Sequence, residues 1–276
     1  MNPHENLPEN IFWLSKKIVQ YRNLIIQMTK RDITSRYQGS MIGLTWSIIN
    51  PIVMLLIYTF VFSVIFKAKW TMDESESKSQ FAVILFVGMI VNSFFSEVFN
   101  RAPQLIVGNV NYIKKVVFPI EILPIVSTLS VLFHALISIA VLLIALIVLN
   151  GGIPITALYT PIIFLPLIIF CTGISYIFSS LGVFLRDIGQ ATAIISTIMM
   201  FLSPVFFPMS AIPKEFQIWI MMNPLTFIIE QARAVMIFGN TPDWIGLITY
   251  TCFSLVVFMA GFLWFQRTRK GFADVL

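Results

Sequence analysis

Formal charge is what this sequence has least of. Only 11% of its 276 residues are Asp, Glu, Lys or Arg, against about 25% in a soluble domain. That deficit excludes an ordinary soluble fold and leaves a membrane domain with no large soluble appendage. Cysteine is scarce too. Cys171 and Cys252 both lie deep in apolar runs, which argues against a disulfide or a cysteine metal site and predicts two buried apolar thiols. No Gly-x-x-x-x-Gly-Lys-Ser/Thr segment occurs, so the chain cannot cradle ATP phosphates by that route. No pair of acidic residues marks an inner face for metal-dependent catalysis, and no metal site is expected. The first 40 residues hold no short apolar core followed by a small-residue cleavage site. The first span is therefore expected to act as its own insertion signal. The net charge of +5 sits at the ends of apolar runs rather than in a patch, which argues against a nucleic-acid partner.

What the chain does have is long apolar runs. Between Glu121 and Arg186 no residue carries a formal charge. A hydrocarbon layer ~30 Å thick takes about 20 residues at ~1.5 Å each, so this run holds two spans. Asn150-Gly151-Gly152-Ile153-Pro154 breaks it near the middle. Six spans are predicted, at 41–66, 81–99, 122–149, 161–185, 189–207 and 244–266. The predicted organisation is residues 1–40 as a cytoplasmic N-terminus with an interface helix, 41–266 as the six-span domain and 267–276 as a cytoplasmic tail. With the N-terminus inside, 13 of the 18 Lys and Arg residues fall on inner segments and 5 on outer ones. Both termini are expected in the cytoplasm.

Two segments outside the spans are apolar. In residues 10–36, Ile11, Leu14, Ile18, Tyr21, Leu24, Ile25 and Met28 recur at helical spacing among basic residues. This predicts an amphipathic helix in the inner interface. After Pro204, Pro208 and Pro213 come two short helices, predicted at 214–222 and 225–238 and closed by Gly239-Asn240. Both are too short to span, yet too apolar, with Phe216, Ile218, Trp219, Ile220 and Met221, to stand in water. They are expected either to re-enter the outer leaflet, making a pathway or gate there, or to lie flat on it. The first outer loop, 67–80, gathers Asp73, Glu74 and Glu76.

Polar residues within the spans are few. Glu97 and Arg101 are four apart at the inner end of the second span and are expected to pair. Glu230 and Arg233, three apart, form another expected local pair. No charged residue sits at the centre of a span, which argues against an ion-coupled carrier. His134, near mid-span, suits either a proton relay or, as expected, a hydrogen bond to a Ser or Thr on a neighbouring helix. Pro51, after Asn50, should kink the first span by leaving the Ser47 carbonyl without its helical donor. Gly39 and Gly43 suggest close helix approach. Trp46, Tyr58 and Phe62 in the first span and Phe201 in the fifth are candidates for lining a path, since sugar C–H faces stack on rings without needing charge. The inner connection 101–115 suits either a docking helix for a cytoplasmic subunit or a loop on the lipid surface.

The stretch Lys30-Arg31-Asp32-Ile33-Thr34-Ser35-Arg36-Tyr37-Gln38-Gly39-Ser40, followed by Gly43-Leu44-Thr45-Trp46-Ser47-Ile48-Ile49-Asn50-Pro51, resembles the membrane subunit of polysaccharide-exporting ABC transporters. That group is Wzm-like (O-antigen), with KpsM-like capsule and TarG-like teichoic-acid relatives. Ile113-Lys114-Lys115-Val116 with Phe118-Pro119, Arg186-Asp187-Ile188-Gly189-Gln190 and Asn223-Pro224-Leu225 extend the resemblance over nearly the whole chain.

The resemblance implies an all-α polytopic fold of six helices, with an N-terminal interface helix carrying Lys30, Arg31, Asp32 and Arg36. It implies two outer gate helices between spans five and six, carrying Phe216, Trp219, Glu230 and Arg233. A coupling helix at about 101–113, with Arg101, Pro103, Gln104, Asn109, Asn111 and Tyr112, would meet the energy source. It further implies a homodimer with two copies of a separate cytoplasmic ATPase. That partner would hold ATP and Mg, this chain would bind no cofactor, and it would not be an enzyme. The cargo would be a polyprenyl-linked glycan crossing a bacterial inner membrane, with O-antigen the nearest branch. Three other readings are an ABC exporter of a small molecule or drug, an ion-coupled carrier or channel, and a membrane glycosyl- or phosphotransferase.

Overall fold

A computed structural model describes residues 11–66, 70, 78–114 and 118–276. The predicted acidic cluster at Asp73, Glu74 and Glu76, the Lys115-Val116 part of the inner motif and the first ten residues lie outside the described residues. Among those described, the regular structure is helical. Five helices are long and apolar enough to cross a membrane, at Gly43–Phe62, Gln80–Arg101, Ile120–Leu149, Ile155–Phe184 and Trp244–Gly271. They match five of the six predicted spans. The segment predicted as the fifth is instead a helix of 14 residues, Ile188–Phe201. At ~1.5 Å per residue it is about 21 Å long, short of the hydrocarbon layer. Ser203 and Pro204 follow it as turn.

In chain order the helices are α1 (Ile11–Gln20), α2 (Arg22–Ser35), α3 (Trp46–Tyr58), α4 (Lys78–Arg101), α5 (Gln104–Val107), α6 (Val110–Lys114), α7 (Leu123–Asn150), α8 (Thr160–Phe184), α9 (Ile188–Phe201), α10 (Lys214–Met221), α11 (Pro224–Met236), α12 (Trp244–Thr268) and α13 (Phe272–Val275). The predicted interface helix is two helices, broken at Tyr21. Its apolar stripe is not simply laid on lipid. Ile25 and Met28 are buried and join a cluster with Ile106, Ile122, Leu123 and Val126, so α2 spends that face on protein.

Pro51 lies inside α3, and the first span then continues as a π-helix over Thr59–Ile65. Thr59 donates its hydroxyl to the Leu55 carbonyl at 2.7 Å, and Phe66 N–H reaches back five residues to Val61. Proline and wide turns loosen the helical ladder at both ends of the outer half of this span. Gly39 and Gly43 do not serve close packing. Both hold positive φ, 88° and 59°, and a side chain there would meet nothing within 4 Å. They are turn glycines in the linker into α3.

Close packing falls instead to glycines of α8 and α12. A Cβ on Gly173 would stand 2.6 Å from the Phe258 Cα, and one on Gly261 would collide with the Gly173 carbonyl oxygen. The two backbones therefore touch, as small residues permit. Gly151 ends α7 at φ 76°, donating to Ile147, which is the expected turn after the third span. Cys171 is buried, but Cys252 is exposed on α12, against the expectation of two buried thiols. The predicted cytoplasmic tail is packed: Phe272 is fully buried against Phe184 and Phe265.

Candidate functional site

Four regions hold the side chains singled out by sequence. The first is an ionic cluster where α2 meets the C-terminal end of α4. Arg101 closes α4 with a guanidinium nitrogen 2.6 Å from Asp32 and another 3.7 Å from Glu97. Arg36 holds Glu97 more closely, at 2.7 Å. The expected Glu97–Arg101 pair is thus the longest of three contacts, because α2 brings its own acid and base to the same spot. Asp32 lies in the last turn of α2, and Arg36 is the residue that caps its C-terminal end. Lys30 and Arg31 are exposed, with the Arg31 guanidinium over the Tyr112 ring at 5.8 Å.

The second region is the inner connection. It is not one coupling helix but two short pieces, α5 and α6, separated at Gly108-Asn109. Asn109 donates its amide to the Leu105 carbonyl at 2.8 Å, ending α5. Gln104 and Asn111 are exposed, and Tyr112 is half-buried, stacked on Phe118 at 4.6 Å. Pro103 is buried, because Gly182 of α8 lies against its backbone so closely that a Cβ there would overlap the Pro103 carbonyl. Arg101 faces Asp32 and Glu97 rather than the connection.

The third region is a cavity of about 310 Å³ beside the first span, with walls from α3, α4, α7 and the Arg36-Tyr37 linker. Trp46 and Tyr58 line it; Phe62 and Phe201 do not. Phe62 stacks on Phe81 and Phe206, and Phe206 meets Phe201 at 6.0 Å. The four predicted path residues therefore separate into a cavity pair and an outer aromatic row. His134 lines the cavity as well. Its Nδ1 is 3.4 Å from the Tyr37 hydroxyl, not from a Ser or Thr as expected. The linker after α2 folds back over α7 and supplies that partner, which helix periodicity could not foresee.

Helices α10 and α11 carry a site that sequence reading reached only in part. Arg233 pairs with Glu230 at 2.9 Å, as predicted. It is also fully buried, donating to the carbonyls of Ile84 (3.1 Å), Pro204 (2.5 Å) and Val205 (2.9 Å). The Trp70 ring lies 4.3 Å away. Burial lowers its pKa to about 10, while Glu230 opposes that shift, so the group stays charged near neutral pH. Asn223 caps α11 by accepting from Leu225 N–H and donates to the carbonyls of Met199 and Leu202, all at 2.9–3.1 Å. On α10, Phe216 and Trp219 are exposed and meet no core.

A family model described as ABC-2 type transporter matches residues 23–237. The chain is similar to the O-antigen export system permease protein RfbA of Klebsiella pneumoniae, 26% identical over 92% of this chain and 95% of the relative. It is similar to the RfbA protein of Myxococcus xanthus, 24% identical over 95% and 98%. The polysialic acid transport protein KpsM of Escherichia coli is 27% identical over 87% and 91%.

Proposed function

We propose, because this chain belongs to the ABC-2 type transporter family, that it is the permease subunit of a polysaccharide exporter. The reading has the chain working as a homodimer with two copies of a cytoplasmic ATPase. Its cargo is a polyprenyl-linked glycan, O-antigen first, carried across a bacterial inner membrane. In this reading α9 and the turn to Phe207 make the fifth of six crossings, both termini are cytoplasmic, and α10 and α11 form an outer gate dipping into the leaflet. Gln104, Asn109, Asn111 and Tyr112 face the ATPase, which holds ATP and Mg.

The observation that carries the reading is near end-to-end likeness to export permeases, 95% and 98% of the length of the two RfbA proteins. The charge-poor spans agree with it, since an uncharged polymer needs no buried counter-ion on its way. The similarity to KpsM, over 91% of that protein, favours a capsule polymer as the second reading.

The test is deletion of the gene followed by assay of surface glycan. Loss of surface polymer with lipid-linked glycan accumulating inside supports export, and the chemistry of the lost polymer separates O-antigen from capsule. Unchanged surface glycan sinks the reading. So does purified chain moving cargo without any ATPase.

A further inference from the structure

The cavity beside the first span has a wall chemistry that export in general does not require. Its volume of about 310 Å³ is at the small end of ligand pockets, roughly 300–1,000 Å³. It suits one small unit rather than a threaded polymer. Trp46, Asn50, Met54 and Tyr58 recur every four residues along the first span, and all four line it. That spacing keeps one face of a helix turned to one place.

Charge at the cavity cancels. Arg36 and Glu97 line it as a pair 2.7 Å apart, and Arg101 and Asp32 close the same network behind them. A phosphate would find no surplus positive charge and would meet a carboxylate, which repels it. The remaining polar groups are neutral and of mixed sense. Asn50 offers both donors and an acceptor. Nε2 of His134 is buried with no hydrogen-bond partner among the described residues, a state that is costly unless something meets it. An acyl chain would leave both unmet.

Flat aromatic faces, mixed donors and acceptors and no net charge together describe a neutral sugar ring. Its C–H face lies against a ring, and each hydroxyl both donates and accepts. The first span is also the loosest wall. Within the chain 11% of its apolar window is buried, against 78% for the second span, so it is the wall with least protein packed around it.

We propose that this cavity binds a single neutral sugar unit within one protomer, between the first span and α4 and α7, and that the site is used during export. The proposal rests on the polysaccharide-export reading and narrows it to a non-ionic sugar of the glycan.

The test uses the full chain in lipid nanodiscs, with saturation-transfer NMR on methyl glycosides of neutral hexoses and 6-deoxyhexoses. Inorganic phosphate and glucose 1-phosphate serve as competitors. Neutral rings should take up saturation, and neither phosphate should displace them. Asn50→Leu and Trp46→Ala, each checked as folded by its melting temperature, should weaken binding about ten-fold, the worth of one or two net contacts. Glu97→Gln leaves the Arg36 charge uncancelled and should reverse the preference, so that glucose 1-phosphate displaces the neutral sugar. Absence of sugar binding, displacement by phosphate in the native chain, or binding indifferent to both Asn50→Leu and Trp46→Ala overturns the site.

ATP-driven glycan movement by the complex with its ATPase separates this proposal from the reading beneath it. Normal export by an Asn50→Leu chain that no longer binds sugar overturns the site's role and leaves export standing. Cavity binding without ATP-driven movement supports the site and counts against export.

Discussion

Replacing Arg233 by Met tests whether the outer helices are held by a buried cation or only by apolar packing. The methionine keeps much of the side-chain volume but removes every donor. Carbonyls of Ile84, Pro204 and Val205 then lose a partner. A buried acceptor left unmet costs about 1–3 kcal/mol; the Ile84 carbonyl keeps its donor within α4, so the other two give about 2–6 kcal/mol. Sparing the desolvation of the guanidinium offsets part of this, and removing one member of a buried charged network has cost about 3–5 kcal/mol elsewhere. We take about 4 kcal/mol. At ~2–4 °C per kcal/mol for a chain of this size, the melting temperature in detergent should fall by about 8–16 °C. Glu230 is the control. Its side chain is 38% exposed, so Glu230→Gln should cost under about 1 kcal/mol. Gly88 gives a second handle, because a Cβ there would lie 2.8 Å from Nη2 of Arg233 and 3.3 Å from the Val205 Cα. Gly88→Ala should cost about 1–3 kcal/mol alone and clearly less once Arg233 is Met, a coupling that a double-mutant cycle reads directly. The reasoning fails if Arg233→Met melts within about 3 °C of the native chain, or if Glu230→Gln costs as much.

Other expectations concern the inner side and the helix crossings. Gly182→Ala should lower the melting temperature by several degrees and, in the complex, disturb coupling to the ATPase, because Pro103 at the start of the inner connection must shift; unchanged melting refutes the close contact. Gly261→Leu should prevent α12 from reaching α8 and abolish a folded, monodisperse product, where Cys252→Leu on the exposed side of α12 should be tolerated. The Asp32–Arg101 pair is about one-third exposed at both ends, so either single alanine should cost under about 1 kcal/mol, and the charge-exchanged double variant Asp32→Arg with Arg101→Asp should recover part of that in thermal melts. Asn223→Ala removes one cap and two tethers to the end of α9 and should cost about 1–2 kcal/mol; protease sensitivity near α10 should rise with it.

The spans were legible because hydrocarbon imposes a simple requirement on long runs of residues, and the chain meets it with little charge. The turn at Gly151 was legible for a related reason: αL backbone at a helix end is met by glycine. The errors fall where two elements meet. Gly39 and Gly43 have the spacing of a packing motif but serve a linker. Gly173, Gly182 and Gly261 carry the packing without any such spacing among them. A glycine inside an apolar helix costs about 1 kcal/mol relative to alanine, so each of the three was a signal that something must approach closely. Which helix approaches is a tertiary fact. The sequence extends the fifth span to residue 207 because 189–207 carries no formal charge. Only the turn at Ser203-Pro204, tied to Arg233 through the Pro204 carbonyl, shortens it.

The candidate site follows the same division. Along the first span, the four-residue recurrence of Trp46, Asn50, Met54 and Tyr58 is local, and any helical reading places them on one face. What makes that face a cavity wall comes from elsewhere: Arg36 and Tyr37 from the linker after α2, Glu97 from α4 and His134 from α7. None of these shares a period with the first span. Arg36 and Tyr37 lie beyond the end of α2, where helical spacing no longer predicts direction. Arg233 is the extreme case, because its extra partners are main-chain carbonyls, which every residue owns and no sequence displays. A pair three residues apart suggested only a local contact, whereas burial makes the same arginine the tie between α4, α11 and the turn after α9. Function in this chain therefore has to be sought where rare polar side chains meet backbone or one another across elements. The aromatic row of Phe62, Phe206 and Phe201, whose ring contacts among the described residues are all to phenylalanines, is by that argument the part of the predicted path that packing alone accounts for.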